Sequence, residues 1–368
     1  MLNFKLKTIY NYLFQNIHIF IILFLILILI AIGLFNIVNN KQNIENYSGF
    51  ITPTFLNYLK EKNYKINRRK KIITKCNNEN KKCKEISYRY HFNTFNSILL
   101  CNDKFKTNKL LKNNNIPVPN SFLVPISITS KNLESLLVKN KIKFPLVVKD
   151  NNGTFGLNIY TNIDTLEKVM ISLKELSKIR YNALIEEQVD GDCYRIFVFN
   201  KQIIDIIKRE KPFVIGDGIK NIEELIHIRN INQEKEKMYP TNIKMEYINQ
   251  QGYNMNSILE LNKKLYITNI INFHNGAKVS RVDIKLVPPK NLKMFVDICD
   301  ILNIKCIGID YLSKNINIEY DLNNGKILEI NGTPDTEIHT LLENNTEDAE
   351  DAKDAVAKYF FKNIVDNI

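Results

Sequence analysis

The sequence has no tryptophan, only 12 glycines in 368 residues, and no cysteines spaced CxxC. Its six cysteines stand at 76, 83, 101, 193, 299 and 306, and Cys76 and Cys83 lack the neighbouring His or Cys that a structural zinc site needs. Cys299 and Cys306 lie in apolar surroundings and read as buried free thiols, and a reducing compartment suits this usage. No internal repeat is present, and no Ser-His-Asp arrangement suggests nucleophilic catalysis. What is present is a globular composition, 45% apolar and 24% charged, long enough for two or three lobes.

The formal charge is +12, and most of it is local. Between Lys60 and Lys84 eleven Lys or Arg face two Glu. Without interleaved aromatics or a nucleic-acid motif, this stretch reads as a solvated basic surface near a membrane, and no nucleic-acid partner is expected.

Ile19 to Phe35 is an unbroken apolar run, extended past Asn36 by Ile37 and Val38. Such a run spans the roughly 30 Å of a bilayer's hydrocarbon as a helix. No small-x-small cleavage site follows, so residues 19–38 read as a single transmembrane helix after a tail at 1–18 rather than a signal peptide. Lys5 and Lys7 before the run and Lys41 after it leave the orientation open.

Beyond the anchor, 48–102 reads as a small α/β unit that opens on a helix with Pro53 at its first position. A helix at DKFKTNKLLKNNN then meets the IPVP break. Further helices are expected at SKNLESLLVKNK, Leu166–Leu176 and Leu292–Leu302, and strands at FPLVVKD, LNIYT, ALIEE, CYRIFVFN, KQIIDIIKRE and CIGIDYLS. INIEYDL and GKILEIN read as a hairpin. Residues 343–368 read as an acidic amphipathic helix.

Three stretches carry candidate chemistry. Lys149 ends the apolar run PLVVK before the loop NNGTFG, where backbone N–H groups and a point charge can meet phosphate; the loop is not GxxxxGK[ST]. At a strand end, Lys149 is expected to be removable without disturbing the core. LIEEQVDGD suits either an ordinary strand-turn or a linker whose backbone binds a base. Glu329 and Asn331 share one strand face, and Asp310 in CIGIDYL is placed on a neighbouring strand. Together they are oxygen donors for a hard cation.

In order, DKxxTxxLLxxxxIPVP, PLVVKxxxxxFG, IEExVxGxxYR, GDGxxxIEELI, GID and LEINxxP resemble the ATP-grasp superfamily, above all the ATP-grasp domains of cyanophycin synthetase and bifunctional glutathione synthetase. The resemblance implies an α+β fold of two lobes holding ATP between them at 103–342, preceded by the α/β unit and the transmembrane helix. It implies that Lys104 and Lys149, with Gly153 and Gly156 of the loop, meet ATP phosphates, and that Glu186, Glu187 and Val189 form the adenine hinge. Asp310, Glu329 and Asn331 would hold one or two Mg²⁺ ions, Mn²⁺ being an alternative, and Arg209 and Arg281 would meet phosphate or substrate carboxylate.

The sequence departs from this pattern at three positions. Asp150 replaces the usual Pro, Asn158 a glycine, and Cys193 an acidic residue that approaches the ribose, for which Asp192 is the candidate substitute. His274 and His339 are read as structural more readily than as substrate contacts.

The implied activity is ATP-dependent carboxylate–amine ligation on an amino acid or peptide, the body facing the cytoplasm where ATP is found, with self-association left open. The rivals are a membrane-tethered ATP-binding scaffold and a basic membrane-surface adaptor. Deleting residues 1–40 should give a soluble chain that keeps Mg-ATP binding and ligation, because every motif lies downstream. Sedimentation and nucleotide titration check this, and a folded truncation blind to Mg-ATP would place the deleted segment in the site.

Overall fold

The computed structural model describes residues 53–365 except 68, 77–82, 89–91, 154–156, 236–238, 242, 322–323 and 340–359. The chain divides into two units, Met1–Thr52 and Pro53–Ile368. The expected transmembrane helix at 19–38, Gly156 and most of the acidic C-terminal segment lie outside the described residues. Among the described residues no helix is long and apolar enough to cross a membrane.

Helix α1 (Pro53–Glu61) starts on its proline and buries Phe55, Leu56 and Leu59. An antiparallel sheet follows, β1 (Lys65–Asn67), β2 (Ile72–Cys76) and β3 (Cys83–Ser87), with Ile66, Ile73 and Ile86 aligned across it. Cys76 and Cys83 are register partners joined by a disulfide, a pairing that the reading of a reducing compartment does not include. The other four cysteines are free and buried. Burial pushes the Cys101 and Cys299 thiols up to about 12.

Helices α2 (Phe95–Asn102) and α3 (Lys104–Asn113) are capped by Thr94 and Asp103, whose side chains accept from Ser97 N and Lys106 N. The Asn93 carboxamide donates to the carbonyls of Cys306 and Gly332, so the 93–102 stretch is fastened to the C-terminal sheet. The next sheet is antiparallel, in the order β4 (Ser121–Pro125), β7 (Asn182–Glu187), β5 (Leu146–Lys149), β6 (Ile159–Ile163). Helices α4 (Ser130–Lys139) and α5 (Leu166–Leu176) share a core with one of its faces, Leu133, Leu137, Val169 and Leu173 meeting Leu146, Val148, Ala183 and Ile185.

Strands β8 (Asp192–Phe199) and β9 (Gln202–Glu210) turn through Asn200 and Lys201, both at positive φ. An insert of β10 (Phe213–Ile215), α6 (Ile222–Lys235), α7 (Met245–Gln250) and β11 (Lys264–Tyr266) has its own small core around Ile222, Ile226, Ile248 and Leu265. The chain then forms β12 (Lys278–Arg281), α8 (Pro289–Ile301), β13 (Cys306–Ser313) and β14 (Lys326–Asn331). The second large sheet is antiparallel in the order β12-β9-β8-β13-β14. Its helix-covered face contributes Tyr194, Ile196, Ile206, Ile309, Tyr311 and Ile327 to a core with Phe295 and Ile298 of α8.

Among the described residues the expected INIEYDL–GKILEIN hairpin is absent; β14 pairs with β13 instead. The reason is Asn291 of α8. Its side chain donates to the carbonyls of Ile316 and Ile318 and accepts from Tyr320 N, taking backbone groups a ladder would need.

Phe295 is fully buried, edge-on to Tyr311 at 5.1 Å. Phe295→Ala should destabilise the fold by about 3–5 kcal/mol, read as a fall in the denaturation midpoint at unchanged slope.

Candidate active site

Strand alternation that sends apolar residues of the five-stranded sheet toward α8 sends the intervening residues to the other face. Register places Arg281, Ile207, Arg195, Asp310 and Glu329 in one row across the five strands. Arg209 and Cys193 stand in the next row on one side, Asp205, Phe197, Gly308 and Asn331 in the next on the other. Asp310 Oδ1 lies 2.8 Å from Arg195 Nε and 2.9 Å from Arg209 Nη2. Charge contact is close but alignment is poor, since Asp310 Oδ1, Arg195 Nε and Arg209 Nε all lack a hydrogen-bond partner. A Cβ at Gly308 would stand 2.5 Å from Arg195 Nη1, so the glycine of GID makes room for this guanidinium. Burial pushes the Cys193 thiol up, although Arg209 Nη2 lies 3.0 Å from its sulfur.

Lys104, at the start of α3, joins two parts of the site. Its buried ammonium donates to the carbonyl of Gly153 and lies 3.3 Å from Glu329 Oε1. Lys149 pairs with Glu186 at 2.5 Å on the face of the four-stranded sheet away from its helices. Both side chains are under one-tenth exposed, and Glu186 Oε2 has no partner. This corrects the expectation that Lys149 could be lost without disturbing the interior.

Two departures from the expected pattern have a physical account. Asp150 accepts from Asn152 N and from Arg180 Nε at 2.6 Å, holding the loop by charge and hydrogen bonding. Asn158 has φ 57°, a left-handed conformation Asn tolerates better than most residues, so it keeps a glycine-like backbone. The third departure is uncompensated. Asp192 alternates to the opposite face from Cys193, where it pairs with Lys208 at 2.6 Å.

Gln188–Gly191 is the linker between β7 of one sheet and β8 of the other, which is where a base-binding hinge would have to run. Glu187 accepts from the backbone and side chain of Asn120 and lies 3.4 Å from Lys326 of β14, tying the linker to both sheets. Val189 is half-buried within it. Arg281 is gripped by Asp205, and Asp205 also meets the Nδ1 of the fully buried His339. Burial lowers the His339 pKa, against the pull of Asp205. His274 pairs with Asp335 and packs against Tyr239, so both histidines have structural partners.

Asp310 and Glu329 are register partners and Asn331 shares their face, with its Nδ2 unpartnered. Among the described residues no group of three or more His, Cys, Asp or Glu is assembled for a metal. Two carboxylates and a carboxamide nevertheless fit Mg²⁺, which takes few protein oxygens and completes its shell with phosphate and water. The lysine and arginine contacts on both carboxylates show how strongly this face needs countercharge.

Sequence reasoning missed Arg195, Asp205 and Arg180. The first two were detectable, because Asp205, Ile207 and Arg209 recur at i, i+2 and i+4, as do Cys193 and Arg195. Arg180 follows α5 in a stretch with no local signal.

Residues 101–223 match the RimK-like ATP-grasp domain. The chain is 25% identical over 64% of its length to the cyanophycin synthetase of Synechocystis and 29% identical over 66% to the glutathione biosynthesis bifunctional protein of Clostridium perfringens. It spans only 28% and 32% of those proteins. The crystal structure of a bifunctional glutathione synthetase from Pasteurella multocida superposes with TM-score 0.57 at 15% identity, covering 84% of this chain and 44% of that one. The fold is thus the α+β ATP-grasp fold.

Removing one partner of the buried Lys149–Glu186 pair strands a charge. Lys149→Ala should cost about 3–5 kcal/mol of stability, and Lys149→Met with Glu186→Leu should recover most of it. Denaturant titration of both variants checks the stability, and both should fail to bind Mg-ATP in a nucleotide titration.

Proposed function

Because this chain carries a RimK-like ATP-grasp domain at 101–223 and is homologous to cyanophycin synthetase and bifunctional glutathione synthetase, we propose that it is an ADP-forming carboxylate–amine ligase acting on an amino acid or peptide. The observation that carries this reading is Lys104, which joins the phosphate-loop carbonyl of Gly153 to Glu329 on the oxygen-donor face. ATP phosphates bound by Lys149 and Lys104 would therefore lie against Asp310, Glu329 and Asn331. We propose that these three would hold two Mg²⁺ ions, with Mn²⁺ able to substitute. Bound Mg²⁺ would neutralise phosphate charge during transfer.

In the first step a substrate carboxylate oxygen attacks the γ-phosphorus, the bond to the β-phosphate oxygen breaks, and ADP leaves. An amine nitrogen then attacks the acyl carbon, the carbon–oxygen bond to phosphate breaks, and the amine proton passes to phosphate or solvent. The chain's own contribution is positioning and charge. Lys104 and Lys149 orient the phosphates, Arg195 and Arg209 face the transferred group, and Arg281 meets the acid substrate. The proposal includes anchoring through residues 19–38 with the body in the cytoplasm.

A second reading, an ATP-binding scaffold without turnover, draws support from Cys193, since Asp192 faces away and the acid for the ribose is missing. Glu329→Gln separates the two. It keeps size and hydrogen bonding and removes charge from a half-buried position whose partner Lys104 retains Gly153. Mg²⁺-dependent ADP release, assayed against a panel of amino acids and dipeptides, should fall by orders of magnitude in the variant while the melting temperature barely moves. No ADP release by the unaltered protein would leave the scaffold reading, and normal turnover in a variant that melts lower would remove the metal site.

A further inference from the structure

Arg281 is an exposed-edge arginine with an unusually complete set of restraints. It stands on β12, two residues out of step with Asp205 of β9 on the same sheet face. Its Nε lies 2.9 Å from Asp205 Oδ1 and its Nη2 donates to Asp205 Oδ2 at 3.2 Å, a two-point grip on the guanidinium. The same Nη2 donates to the His339 carbonyl at 2.8 Å. Asp205 is itself buried, and its Oδ2 accepts from His339 Nδ1 at 2.9 Å. An ionised carboxylate only accepts, so the ring proton is on Nδ1, which fixes the tautomer.

The His339 ring is in turn sandwiched. One face stacks on Phe360, with centroids 5.4 Å apart and planes 6° from parallel, while Phe197 meets it edge-on at 5.4 Å. Phe360 belongs to the helical residues 360–365, whose Phe360, Phe361, Ile364 and Val365 are all buried. Phe361 packs on Phe55 of α1 at 4.7 Å. A contact chain therefore runs from the C-terminal segment through His339 and Asp205 to Arg281.

We propose that Asp205 and His339 are positioning residues for Arg281, and that Phe360 of the C-terminal segment locks them, so that the far end of the chain sets the geometry of the arginine that meets the substrate carboxylate. That the ligand is a carboxylate rests on the ligase reading; the restraint of Arg281 by Phe360 does not. Without the grip, Arg281 is a long, flexible side chain at a sheet edge, and part of its ligand affinity goes into ordering it.

The test uses the full chain in detergent, labelled with the arginine reagent phenylglyoxal and read residue by residue by peptide mass spectrometry. Labelling of Arg281 should rise severalfold in Asp205→Asn and in Phe360→Ala. It should stay at the wild-type level in Ile364→Ala, which removes bulk from an equally buried position of the same segment and leaves the Phe360–His339 stack in place. Buried Arg209 reports the fold and should stay unlabelled throughout. Arg281 labelling that is unchanged in Phe360→Ala, or raised equally in Ile364→Ala, overturns the lock. With an acid substrate from the amino acid and dipeptide panel, Asp205→Asn should raise KM for the acid roughly tenfold or more and leave KM for ATP unchanged. A parallel rise in both KM values overturns the positioning role. If no panel member supports ADP release, the ligase reading fails while the labelling still decides whether Phe360 restrains Arg281.

Discussion

A strand shows its side chains alternately to its two faces, and in the five-stranded sheet that constraint divides core from chemistry. Ile196, Ile309 and Tyr311 go to the helix-covered side, so Arg195, Gly308 and Asp310 must go to the other. A one-residue slip between β8 and β13 would exchange the two sets, burying arginine and aspartate under α8. The apolar face therefore fixes the register, and the register fixes which charges meet. The same logic in the four-stranded sheet leaves Lys149 and Glu186 opposite the helices α4 and α5.

The charges so assembled are close to balanced in pairs. Lys149 faces Glu186, Lys104 faces Glu329, Arg195 and Arg209 face Asp310, and Arg281 faces Asp205. Several of these groups are buried enough that an unpaired charge would be costly. Yet the pairing is imperfect, with partnerless atoms on Glu186, Arg195, Arg209, Asp310 and Asn331. Such a surface is suited to exchanging its internal partners for those of a highly charged ligand, because the groups are already desolvated and oriented.

The order of elements and the pairing of Asp310 with Glu329 were legible because apolar periodicity and the Gly and Pro punctuation are local signals. The hairpin at INIEYDL was misread because the competitor, Asn291, sits in a helix 25 residues away from Ile316. Lys149 was misjudged for a related reason. Its position at a strand end is visible in sequence, but its burial depends on Glu186 across the sheet. Asp192 and Cys193 are adjacent in sequence, and only register shows that they cannot serve the same ligand. The resemblance found the ends of the chemistry; the residues that hold those ends in place belong to tertiary contacts.

The loop after Lys149 has a further consequence. A proline at position 150 would stiffen the loop by covalent restriction of the backbone, which ions in solution do not touch. Here the corresponding stiffness comes from Asp150, nearly inaccessible, and Arg180, whose side chain is 45% exposed. Electrostatic bracing of that kind weakens as dissolved ions crowd the exposed partner. The rigidity of the start of this loop thereby becomes a property of the surrounding medium as well as of the polypeptide, and dissolved ions join the sequence in setting how firmly Asp150 is held.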